Sequence, residues 1–81
     1  MMSKTQITLE AARINMGYKQ KEAAAIFGVH YQTLASWERD SSNMPHTEIE
    51  KIPQIYHIPK EFIFFGNKNE FIRLKRGEDA N

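Results

Sequence analysis

Gln20-Lys21-Glu22-Ala23-Ala24-Ala25-Ile26-Phe27-Gly28-Val29-His30-Tyr31-Gln32-Thr33-Leu34-Ala35-Ser36-Trp37-Glu38 is the stretch whose reading decides the fold. Its first half is rich in alanine, the best helix former, and Ala24 is small enough to let a second helix cross closely. Gly28 ends that helix, because glycine reaches the left-handed backbone of a sharp turn without steric cost. Apolar residues recur at helical spacing on both sides of the turn: Ala23, Ala24 and Phe27 before it, Leu34 and Trp37 after it. The spacing predicts helices over Gln20–Phe27 and Tyr31–Arg39, with Val29, Leu34 and Trp37 fastening the second to a core. Gln32, Ala35, Ser36 and Arg39 are left on its outer face.

Outward from this pair the chain reads all-α, a compact bundle of about five short helices, with no strand alternation. Thr8 is placed to cap a first helix over Leu9 to Met16, whose apolar face is Leu9, Ala12 and Met16 and which Gly17 ends. After a polar loop from Asp40 to Pro45, Thr47-Glu48-Ile49-Glu50 has the form of a capping box and predicts the start of a fourth helix. Pro53 falls inside that helix's pattern of Ile49, Ile52 and Tyr56, so a kink or a short helix is expected there. Pro59 suits the first position of a fifth helix over Pro59 to Phe65, closed by Gly66. The reading divides the chain into residues 1–66, the bundle, and residues 67–81, an arm, a sixth helix or a disordered segment. Phe62, Ile63, Phe64 and Phe65 are too many large apolar residues for one small helix to bury. Those left over, with Phe71, Ile72 and Leu74, either form a dimer surface or are covered when the C-terminal segment folds back.

Composition narrows the function. With 81 residues, 41% hydrophobic and 26% charged, the chain suits one small domain, marginal in stability and without room for a large buried pocket. There is no cysteine, hence no disulfide, thiolate nucleophile or zinc–cysteine site, and a reducing, cytoplasmic setting is the default. The longest apolar run, Ala23 to Phe27, is far below the roughly 18 residues of a membrane span, and the N-terminus has no secretory pattern. His30, His46 and His57 lack metal-ligand spacing. Glu48 and Glu50 sit where a helix dipole favours carboxylates, so they do not argue for acid–base catalysis. No phosphate-cradling glycine loop or nucleophile elbow occurs. Neither an enzyme nor a cofactor or small-molecule ligand is expected. The formal net charge of +1 does not announce a polyanion partner.

Two helices joined by a tight turn, the second carrying a free polar face, make a helix-turn-helix. In that motif the second helix enters the major groove with its N-terminal residues at base edges. Tyr31, Gln32, Ala35 and Ser36 are the candidate base readers, and Gln32 is the sharpest, because its amide can pair bidentately with adenine. Tyr31 could instead meet a phosphate or pack against Gln20 or the backbone. His30 and Arg39 are candidates for contact with the DNA backbone, and Arg73, Lys75 and Arg76 either reach phosphates or are simply solvated.

From about Thr8 to Gly66 the chain resembles the Cro and phage-repressor branch of the helix-turn-helix proteins, the Xre family. The resemblance is carried by Gln20 to Glu38, with Arg13 upstream and Pro45 and the Ile58 to Phe65 segment downstream. It implies a lambda-repressor-like five-helix domain that binds a pseudo-palindromic operator in double-stranded DNA as a homodimer and regulates transcription. It also implies a phosphate contact at Gln20, base contacts at Tyr31, Gln32 and Ser36, and an internal ion pair between Arg13 and Glu38. An interaction module that keeps the scaffold without binding DNA, such as an antirepressor or antitoxin-like partner, is the alternative. Four positions depart from the family pattern, one of them Pro53, which replaces what is usually a small helix former and puts the path of the fourth helix in question. Lys19 and His30 stand where Ser or Thr often caps the next helix, so fraying is expected there. Ile26 falls on the exposed side of the second helix, where a charged residue is commoner.

Overall fold

The computed structural model describes residues 5–79. The first four and last two, assigned above to the ends of the two segments, lie outside the described residues. The helices are α1 (Leu9–Asn15), α2 (Gln20–Phe27), α3 (Tyr31–Arg39), α4 (His46–Ile49), α5 (Ile52–Tyr56) and α6 (Lys68–Asp79), with 3₁₀ turns at Ser41–Asn43 and Lys60–Phe62. Among the described residues there is no strand, only two isolated bridges, Ile7 with Ile63 and Asp40 with Asn67.

Local chemistry sets the boundaries of the first three helices. Thr8 Oγ1 accepts from the Ala11 N–H at 3.0 Å, which satisfies an orphan donor of α1. Gly28 holds φ +81°, and the N–H groups of Gly28 and Val29 both return to the Ala24 carbonyl, at 2.9 and 3.0 Å. This closes α2 and aims α3 across it. Ala23 and Leu34 are fully buried where the two helices meet. The Phe27 ring meets Trp37 and Tyr56 edge-on, with centroids 6.1 and 5.6 Å away, so α2, α3 and α5 share one aromatic centre. Leu9 and Ala12 close the core from α1.

The second half departs from the sequence reading in two places, and at Pro53 it takes one of the two expected forms. The capping box at Thr47 does not form: α4 starts at His46, with Pro45 as its N-cap. Of the kink or short helix expected at Pro53, the structure has short helices. The chain breaks at Glu50 and Lys51 and restarts, leaving Pro53 in the first turn of α5, where a missing N–H removes no helical bond. The predicted fifth helix is reduced to the turn Lys60–Phe62. Ile63 is extended, its neighbours pairing with the N-terminal strand-like residue Ile7: the Ile7 N–H donates to Phe62 O at 2.8 Å, and the Phe64 N–H donates to Ile7 O at 2.9 Å. Extended backbone suits this run, because it alternates a fully buried Ile63 with half-buried Phe62 and Phe64 and thereby divides the crowded apolar residues between two faces.

The C-terminal segment is a helix. Asn67 Oδ1 accepts from the N–H groups of Asn69 and Glu70 and so starts α6. The segment is tied back by Phe71 on Phe64, with centroids 5.0 Å apart, and by Lys68 to Glu10 at 3.1 Å. Ser41, buried just past α3, accepts from the Gly66 N–H at 3.0 Å and fastens the end of α3 to the start of this segment. Ile72 and Leu74 remain exposed, at 40% and 55%.

Candidate nucleic-acid interface

The inward side of α3 is fixed by Leu34, Trp37 and Glu38, all buried. At 100° per residue, Gln32, Ser36 and Arg39 then fall within about 60° of one another on the opposite side. All three are exposed, as are Tyr31 and Thr33 on the flanks. Ala35, expected on the outer face, is half-buried: it lies midway around the helix between buried Glu38 and exposed Gln32.

A buried ion pair holds this helix at a set angle to the rest of the bundle. Arg13 Nε donates to Glu38 Oε2 at 2.7 Å, Arg13 Nη2 to Glu38 Oε1 at 3.3 Å, and Arg13 Nη1 to the Tyr18 carbonyl at 2.9 Å. The hydrogen bond that Arg13 donates to Glu38 raises its pKa further above its already high ordinary value, against the opposing effect of burial. Gln20 completes the arrangement by donating its amide N–H to Glu38 Oε1 at 3.0 Å. Its side chain is therefore half-buried and turned toward α3, where the sequence reading had it free at the start of α2. Glu10, 3.8 Å from Arg13 and bonded to Lys68, continues the chain of charges to α6. Buried charges satisfied on every side in this way hold position, because any movement would leave one of them unpaired in a low-dielectric setting.

The first turn of α3 has its own anchor. His30 Nδ1 accepts from the Gln32 N–H at 3.2 Å, so the imidazole does cap the helix, contrary to the fraying expected there. The His30 and Tyr31 rings lie 4.6 Å apart at 31°, and Lys21 Nζ reaches over the Tyr31 ring, 5.0 Å from its centroid. At the preceding helix start, Lys19 provides no side-chain acceptor, but Glu22 Oε1 accepts from its backbone N–H at 2.7 Å. Just past the far end of α3, the Ser42 hydroxyl and backbone N–H hold the Asp40 carboxyl below the usual carboxylate range.

The helix-turn-helix family model matches residues 9–63, from the start of α1 to the bridge at Ile63. The chain belongs to the helix-turn-helix family of the Cro/C1 type. No curated protein matches it. The family is one of DNA-binding regulators. Among the described residues no group of His, Cys, Asp or Glu is arranged to hold a metal ion, and no helix is long and apolar enough to cross a membrane.

Within this helix-turn-helix the charge question left by the sequence is partly answered. Of the two acidic residues in the motif, Glu38 is buried against Arg13 and Glu22 is bonded to a backbone N–H, whereas Lys21 and Arg39 stay exposed. Lys21 and Thr33 are also exposed and were not among the candidates read from the sequence. Thr33 is exposed on the flank, but a helical projection centred on Leu34 and Trp37 places it about 40° from Trp37, so spacing alone does not find it. Lys21 carried no signal either, since its approach to Tyr31 depends on how α2 and α3 cross. α6 falls outside the matched residues.

Proposed function

We propose that this protein is a sequence-specific transcriptional regulator, Cro- or repressor-like and of phage or prophage type, that binds a pseudo-palindromic operator as a homodimer. The observation that carries this reading is the outward arc of α3: Gln32, Ser36 and Arg39 exposed together on a helix whose opposite face is locked by Leu34, Trp37 and the Arg13–Glu38 pair. α3 lies in the major groove, with Tyr31, Gln32 and Ser36 at base edges and Ala35 able to meet only a thymine methyl. Arg39 and His30 contact the sugar–phosphate backbone. Because the Gln20 side chain is engaged by Glu38, its position serves phosphate mainly through the N–H groups of the first turn of α2, which have no helical acceptor. Residues 1–66 form the DNA-binding unit and residues 67–81 an arm for self-association. The protein works in the cytoplasm, without catalysis and without a cofactor or small-molecule ligand.

Selection from random duplexes tests this. The expected outcome is a two-fold-related motif whose half-site centres are about 34 Å apart, one helical turn. Gln32→Ala should flatten preference at one base pair in each half-site by about 1–3 kcal/mol. Gln20→Ala keeps the N–H groups of the first turn of α2 and loses only the bond to Glu38, so it should weaken all sequences slightly and alike. Failure to enrich any motif at low salt would remove the regulator reading. It would leave the interaction-module alternative, which the exposed Ile14, Ile26, Ile72 and Leu74 favour.

A further inference from the structure

We infer that Lys21 is a positioning residue for Tyr31, so that a side chain on α2 that touches no base sets the sequence preference read by α3. The inference rests on the DNA-binding reading above. Tyr31 stands at the first position of α3, where a tyrosine with nothing beside it can occupy several rotamers and would present no fixed edge to a base. In this structure it is held from two elements. His30, itself pinned by accepting the Gln32 N–H, lays its ring 4.6 Å from that of Tyr31, and Lys21 places its ammonium 5.0 Å from the ring centroid. A cation over a tyrosine face is attracted by the ring's negative quadrupole. Tyr31 is 37% exposed, enough to reach outward while its ring is in contact with His30 and Lys21. Lys21 thereby ties the start of α3 to α2 with its charge directed at the ring, which differs from a lysine that simply neutralises phosphate.

The 81-residue protein and four variants, Lys21→Met, Lys21→Arg, Tyr31→Ala and Lys21→Met with Tyr31→Ala, distinguish the two roles through random-duplex selection and binding at several salt concentrations. Lys21→Met keeps most of the aliphatic stem and loses the charge. It should reduce preference about two- to fivefold at a single base pair per half-site, the same pair that Tyr31→Ala flattens. Lys21→Arg should restore that preference, and Lys21→Met added to Tyr31→Ala should change nothing further at that pair. An even loss over all sequences, with the slope of log K against log salt reduced by about 0.9, would make Lys21 a phosphate ligand and overturn the inference. Unchanged preference at the Tyr31 base pair would overturn it as well. If the wild-type protein enriches no motif, the DNA-binding reading fails first, and this inference falls with it. In the free protein, ring-current shifts on the Lys21 methylenes that vanish in Tyr31→Ala are expected, and their absence would refute the contact itself.

Discussion

Glu38 uses both carboxylate oxygens inside the protein, on Arg13 and on Gln20. Removing one member of such a pair leaves the other charge buried without compensation, so Glu38→Leu should cost about 3–5 kcal/mol in urea unfolding. Arg13→Met combined with Glu38→Leu should recover much of that loss, since two apolar side chains of similar volume remove both desolvation penalties; equal losses in the single and double variants would refute this account. Tyr56 is a second buried polar residue, and its hydroxyl has no hydrogen-bond partner among the described residues. Burial, and then the nearby Glu38 carboxylate, push its pKa above the ordinary tyrosine value. The folded protein therefore holds the phenolic proton more tightly than the unfolded chain. This contribution is fully present below the unfolded value of about 10 and is lost as pH rises above it. Tyr56→Phe should retain stability at neutral pH, and its Tm should exceed that of the wild type by a margin that widens above about pH 10. Parallel Tm curves for the two proteins would contradict the shift. The Arg13–Glu38 pair was legible in the sequence through family resemblance, whereas the part played by Gln20 was not, because its partner Glu38 lies on another helix and only the crossing of α2 and α3 brings the amide to it.

At the scale of elements, α1, α2 and α3 follow from local signals: a threonine cap, an alanine-rich run and glycines at the two ends. Gly28 shows how much one such signal contributes. At φ +81° an added Cβ meets nothing within 4 Å, so Gly28→Ala carries only the cost of a left-handed backbone, about 1–2 kcal/mol, with α2 and α3 retained. Thermal unfolding read by circular dichroism checks this, and a loss beyond that range would mean that the turn also packs. The predicted fifth helix failed for the opposite reason. Pro59 and Gly66 marked its ends correctly as breaks, but between them only the turn Lys60–Phe62 is helical and Ile63 is extended, because Ile7, more than fifty positions away, offered a backbone to pair with. Pro53 was read correctly as an interruption. Whether it would bend one helix or separate two depended on the packing of Ile52 and Ile55 into the core.

For the whole molecule, α6 is the open question of assembly. It is fastened to the bundle by Phe71 and Lys68, yet Ile72 and Leu74 are exposed. If α6 carries self-association, Ile72→Asp with Leu74→Asp should leave the Tm of the monomer nearly unchanged, since neither side chain belongs to the core. It should also abolish the dimer in sedimentation and weaken binding to a paired half-site far more than to a single one. A dimer that survives both substitutions would place the interface elsewhere. By itself the sequence determined the fold class, the limits of the helix-turn-helix and the identity of most outward residues of α3, because these follow from short-range spacing, caps and glycines. Only the tertiary structure decided that Gln20 is held by Glu38, that Lys21 stands over Tyr31, that Ile63 pairs with Ile7 and that α6 returns to α1 and α3. Each of those joins residues distant in the chain, and such contacts exist only once the packing angle between elements is set.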